Sequence, residues 1–247
     1  MEIYSRKNGT HTKYTTPPVG HVLARCATGT TQLLPAPPPG YLHRLGTGLF
    51  KNTHASSSLT FRLSDANGDM FGPGAAGLAA GNNSQFLNNV KGIGVDSAVS
   101  VTVSGAGSPL DVQLVWHREP KPEGWACGVV ALTTSYQTIP NVVPAQGYAR
   151  PWGSPLEDLS NGNGSDGFIW NGDTGAVVIN FRLIRDGVTF DWASGPGAGS
   201  SNPALTNVQV NPGDILKAGD VYQVKVAAIN TPGAAIVRYY YQKFESA

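Results

Sequence analysis

The chain has 247 residues, a formal net charge of +1 and only 13% charged residues, where ordinary globular proteins carry roughly 25%. Lys and Arg are scattered and form no basic stripe of the kind that phosphate neutralisation needs, which argues against specific nucleic-acid binding. Its 31 glycines and 18 prolines make up roughly a fifth of the residues, and the apolar residues fall in short β-branched runs. Many turns and few amphipathic helices are therefore expected.

The first residues, Met1-Glu2-Ile3-Tyr4-Ser5-Arg6-Lys7-Asn8, are polar, and no segment approaches the roughly 18 consecutive apolar residues of a spanning helix. These features predict no secretion signal and no membrane contact. Residues 1–19 are rich in Thr, Tyr, Lys and Arg, end near Pro17-Pro18 and show no periodicity, so they read as an extended arm.

From there the chain repeats itself. Leu33-Leu34-Pro35-Ala36 followed by Gly40-Tyr41 is echoed by Val142-Val143-Pro144-Ala145 followed by Gly147-Tyr148. Leu59-Thr60-Phe61-Arg62-Leu63 with Asp65-Ala66-Asn67-Gly68 behind it is echoed by Ile179-Asn180-Phe181-Arg182-Leu183 with Arg185-Asp186-Gly187. Each reads as a strand entering a hairpin, because Asn-Gly and Asp-Gly accept positive φ. Gly72-Pro73-Gly74-Ala75 returns as Gly195-Pro196-Gly197-Ala198, and the alternating Val99 to Val103 returns as Val221 to Val226. Each half closes on one further strand, Leu110 to Trp116 and Ala235 to Tyr241.

Ordered anchors of this kind mark an internal duplication. The expected fold is all-β: two tandem β-sandwich or jelly-roll-like domains over 20–119 and 129–247, joined by a Pro-rich linker over 120–128. A single larger β-fold is the alternative. In Tyr239-Tyr240-Tyr241 the strand period places Tyr240 opposite its neighbours, so one ring has a reason to face an interface.

The search for chemistry is less productive. Gly72-Pro73-Gly74-Ala75-Ala76-Gly77 matches the glycine spacing of a dinucleotide loop, but Pro73 occupies the loop and no helix follows. Asp65-Ala66-Asn67-Gly68-Asp69 offers calcium-type oxygens without the distal glutamate of an EF-hand, and a turn explains it. The loop 161–173 collects Asn, Asp and Gly that could hold an ion or a sugar. The histidines lack zinc spacing, and no nucleophile elbow is present. Glu157, Asp158, Asp166 and Asp191 are carboxylates a glycosidase could use. Cys26 and Cys127 do not correspond in the two halves and are expected to be free thiols. Catalytic residues, metals and cofactors are thus expected to be none.

The opening Leu33-Leu34-Pro35-Ala36-Pro37-Pro38-Pro39-Gly40-Tyr41, the duplication, the low charge and the N-terminal arm together resemble virion structural proteins of tailed bacteriophages, capsid decoration or cement proteins above all. The resemblance implies a non-enzymatic protein on the virion surface that binds the major capsid protein lattice as a homotrimer or other symmetric oligomer. It also implies that Tyr4, Arg6, Lys7, Lys13 and Tyr14 of the arm would form the clamp, since strand addition gives a large backbone interface. The alternative is receptor or carbohydrate binding by a phage fibre or tail protein, with Trp152, Trp170 and Trp192 as stacking platforms.

Overall fold

The computed structural model describes residues 2–7, 10–15, 19–73, 77–86, 93–106, 109–151, 167–173, 177–194, 204–207, 215–231 and 235–244. Every regular element among them is a strand. The chain starts with β1 (Glu2–Lys7) and β2 (Thr10–Thr15), which pair antiparallel as a separate ribbon, Tyr4 opposite Lys13 and Arg6 opposite His11. Within the extended arm expected over 1–19, residues 2–7 and 10–15 thus pair with each other, as Thr and Tyr suit paired strands.

The first unit contains β3 (Val19–Cys26), β4 (Gly29–Leu34), β5 (Tyr41–Asn52), β6 (Thr60–Asp65), β7 (Gly68–Phe71), β8 (Asn83–Phe86), β9 (Ile93–Val95), β10 (Val99–Ser104) and β11 (Leu110–Pro120). They form two antiparallel sheets, β4-β10-β6-β7 and β3-β11-β5-β8, with β9 also on β5. In β10 the side chains of Val99, Val101 and Val103 are buried while those between them face outward, the period-2 pattern of a sheet with one covered face. Between the sheets Phe50 stacks on Phe61 at 4.7 Å, with Phe71 tilted against both.

The second unit contains β12 (Trp125–Ala131), β13 (Gln137–Thr138), β14 (Tyr148–Pro151), β15 (Gly167–Asn171), β16 (Ile179–Arg185), β17 (Val188–Ser194), β18 (Ala204–Asn207), β19 (Leu216–Lys217), β20 (Val221–Val226) and β21 (Ala235–Phe244). Its sheets are β13-β20-β16-β17 and β18-β15-β21-β14-β19, with β12 also on β21. The first of these matches β4-β10-β6-β7 strand for strand, and β12, β21, β18 and β19 take the places of β3, β11, β8 and β9. The register agrees as well: Phe61 faces Val103 and Leu63 faces Val101, as Phe181 faces Val224 and Leu183 faces Tyr222.

Two differences between the copies follow from local sequence. The long β5 has a bulge in which Gly46 and Thr47 stand against Val115, because Leu114 pairs with Gly48 and Trp116 with Leu45. In the second unit two separate strands meet β21 at that point: Pro151 pairs with Tyr241 and Gly167 with Tyr239, on either side of Tyr240. The hairpin turns also differ. Gly68 takes φ +126° after Ala66-Asn67, whereas Asp186 (φ 53°) and Gly187 (φ 79°) are both left-handed, the type I′ pattern.

The link between the units is shorter than the expected 120–128. β11 runs to Pro120 and β12 begins at Trp125, whose ladder with β21 places 125–128 in the second unit. At the turn Gly124 has φ +70°, and its carbonyl accepts the N–H of Lys243; a Cβ there would lie 2.0 Å from the Lys243 carbonyl oxygen. Only glycine fits both conditions.

The core of the first unit is continuous with one face of the second. Trp125, Cys127, Trp170, Ile236 and Tyr240 pack with Phe50, Phe61 and Phe71, whereas Tyr239 and Tyr241 point the other way into the second unit's own core. The strand-period expectation for Tyr240 holds.

Candidate binding surface

The joint between the units is built around charge. Asp65 ends β6 and Arg238 lies mid-β21; both side chains are fully shielded from solvent, and the guanidinium meets the carboxylate through two hydrogen bonds of 2.8 Å. Arg238 also donates to the Gly68 carbonyl at 3.1 Å, and Asp65 accepts the Asn67 N–H at 2.9 Å, so the hairpin turn and the ion pair fix each other. Burial by itself opposes the charge on Arg238, but the Asp65 hydrogen bonds outweigh it and hold the guanidinium protonated. Beside it burial pushes the Cys127 thiol up to about 12, only partly opposed by Arg238. Cys26 and Cys127 are both free and buried.

Trp170 belongs to this joint and not to a ligand platform. It is 1% exposed, its indole N–H donates to the Gly72 carbonyl at 2.9 Å, and Arg62 lies over its ring at 4.7 Å. The stacking role expected for it fails because the first unit covers the ring. Trp152 lies outside the described residues. Trp192 stands in β17 opposite Phe181. Tyr4, Arg6, Lys7, Lys13 and Tyr14 all fall on the N-terminal ribbon.

Other candidate groups are tied to their own chain. Asp191 pairs with Arg182 at 2.8 Å and accepts the Tyr136 hydroxyl at 3.0 Å; Arg182 leads the causes that hold its carboxyl below the usual range. Asp173, at the end of the loop 161–173, is buried and accepts the backbone N–H groups of Asn230 and Thr231. Glu157, Asp158 and Asp166 lie outside the described residues. Among the described residues no group of three His, Cys, Asp or Glu gathers to hold a metal ion, and no helix is long and apolar enough to cross a membrane.

One exposed surface stands out. Tyr148 and Phe244 face each other across β14 and β21, stacked at 5.9 Å with 27° between the ring planes, each 38% exposed. Arg150 lies 5.8 Å from the Phe244 ring and is held by Gln242 Oε1, which accepts its Nη2–H at 2.9 Å. Gln242 opposes Arg150 in the ladder and donates to the Glu123 carbonyl at 3.2 Å. Sequence reading looked to tryptophan and missed this pair, although Gly147-Tyr148 was already one of the duplicated anchors. By ladder register Tyr148 matches Leu42, one step from the Gly40-Tyr41 echo.

No family model matches the chain, and no curated protein matches it. Two solved structures show a weak similarity to it. One is the stem and receptor binding domain of the spike protein P1 from bacteriophage PM2, at 12% identity and a TM-score of 0.21, covering 94% of this chain and 99% of that one. The other is infectious bursal disease virus, Gt strain, at 9% identity and a TM-score of 0.17, covering 94% and 80%. At such TM-scores neither superposes on this chain as a whole, and neither lends it a role.

Proposed function

We propose that the chain is a non-enzymatic structural protein of a virion, which binds the outer capsid surface and bridges neighbouring capsid subunits. The observation that supports this reading is the joint. A protein that bridges a lattice transmits load from one contact to the next, and a hinge between its ends would dissipate it. Here a shared apolar core, the buried Asp65–Arg238 pair and the Trp170 hydrogen bond make the two sandwiches a single stiff unit. The separate β1–β2 ribbon would supply a second contact by strand addition to a capsid subunit.

The test is co-sedimentation of the purified chain with heads of the phage that encodes it, alongside its mass in solution. Saturable binding at a fixed ratio to the capsid protein, as a symmetric oligomer, is expected. A chain that stays in the supernatant at saturating head concentration refutes the capsid role.

A further inference from the structure

The duplication allows each surface position of the second unit to be compared with its counterpart in the first. On β5 and β11, Arg44 lies opposite His117, and Glu119 lies opposite Leu42, which is buried in the core. Arg44 donates to Glu119 Oε1 from both Nε, at 2.9 Å, and Nη2, at 2.5 Å. The second unit keeps the arginine as Arg150, opposite Gln242, but the position of Glu119 is taken by Phe244, opposite Tyr148. The cation has been retained while its carboxylate has been exchanged for an aromatic ring.

We propose that Tyr148, Phe244 and Arg150 form a binding site for an acidic sugar. Arg150 engages Gln242 Oε1 through Nε and Nη2, at 3.3 and 2.9 Å, and among the described residues it pairs with no carboxylate. One edge of the guanidinium is thus anchored, and among the described residues the other meets no acceptor, which suits it to a planar anion that arginine binds in a two-pronged fashion. Next to it Tyr148 and Phe244, stacked on each other and each partly exposed, offer apolar ring surface suited to the C–H face of a pyranose. A uronic acid carries both features in one residue, an apolar ring face and a carboxylate at its rim. The patch consists of two rings beside Arg150 and Gln242, which falls well short of the roughly 800 Å² per partner of a stable protein interface. This site stands apart from the capsid-binding reading and does not depend on it.

The experiment is calorimetric titration of the full chain with oligomers of galacturonic acid and with matched neutral galactose oligomers. Stronger binding of the acidic oligomer is expected. Arg150→Gln should weaken it about tenfold or more while leaving the neutral oligomer unchanged, and Phe244→Ala should weaken both. All three side chains are at the surface, so unchanged thermal unfolding of the variants separates a lost site from a lost fold. Absence of binding to either oligomer overturns the proposal, as does binding that both variants leave intact. A concentration-dependent dimer abolished by Phe244→Ala would also overturn it, by giving the patch to a second copy of the chain.

Discussion

Replacing Asp65 by asparagine tests the joint most directly. The amide side chain has nearly the same shape as the carboxylate and would still accept the Asn67 N–H, so the turn survives while the charge opposite Arg238 is removed. Arg238 is fully buried and cannot shed its proton, which leaves an uncompensated cation inside the protein. Breaking a buried pair in this way costs about 3–5 kcal/mol, equivalent to a shift of about 1–2 M in the urea midpoint. The double variant D65N/R238M removes the stranded charge and should recover most of that loss, because a buried pair exchanged for apolar packing is often close to neutral. Urea unfolding followed by both tryptophan fluorescence and circular dichroism is the assay. The native chain should unfold in one transition, and D65N should separate the two units into two. A loss below about 1 kcal/mol in D65N, or single-variant losses that simply add in the double variant, would refute the account of the joint.

Two further outcomes follow from particular contacts. Trp170→Phe keeps the ring beneath Arg62 but removes the donor to the buried Gly72 carbonyl, and should cost about 1–3 kcal/mol in chemical unfolding; an unchanged midpoint would show that the hydrogen bond contributes nothing. Asp220 has a shielded carboxylate; burial raises its pKa, but hydrogen bonds from Arg185 and the Lys217 N–H outweigh that and the net shift is downward. A depressed carboxyl stabilises the fold above its unfolded value of about 3.9, and that contribution fades as the pH drops through the lower folded value. The stability gap between the native chain and Asp220→Asn should therefore be full at pH 7 and shrink below about pH 4. A gap that stays constant down to about pH 3 would rule out the ion pair as its source.

The duplication was legible because repeated turns and alternating strands leave residues such as Phe61-Arg62-Leu63 and Phe181-Arg182-Leu183 in order along the chain. Ladder register then ties these anchors together residue by residue. A further correspondence escaped notice: Asn52 and Asn171, each buried, each accept the N–H two residues on, a match that single letters in unlike surroundings do not reveal. The joint was hidden for a different reason. Asp65 and Arg238 are far apart in sequence, and a lone carboxylate in a turn is indistinguishable from a solvated one until its partner is placed. Trp170 shows the same limit, since an aromatic residue in a strand is equally suited to a platform or to a core. The surface pair Tyr148 and Phe244 was obscured because its ring contact runs between strands distant in the chain.

The copies also differ where they could have continued. The face of β12 and β21 that receives the first unit carries Ala131 with Ile236 and Val129 with Arg238; the matching face of β3 and β11 carries Arg25 with Asp111 and Leu23 with Gln113. The Arg25–Asp111 pair puts opposite charges on that face, beside an exposed Leu23.

The strand interruption opposite Tyr240 marks a permissive seam for engineering. At a bulge the ladder is already interrupted, so lengthening the chain there sacrifices no backbone pairing, and natural sequence has used this seam once, between Pro151 and Gly167. The Gly46-Thr47 bulge of the first unit can receive an inserted peptide, and residues 152–166 can be trimmed toward a bulge of the same kind, with Tyr239 and Tyr241 still anchored on either side. A display scaffold built on this chain would carry its cargo at matching positions on two rigidly joined units, spaced by the joint and not by a linker.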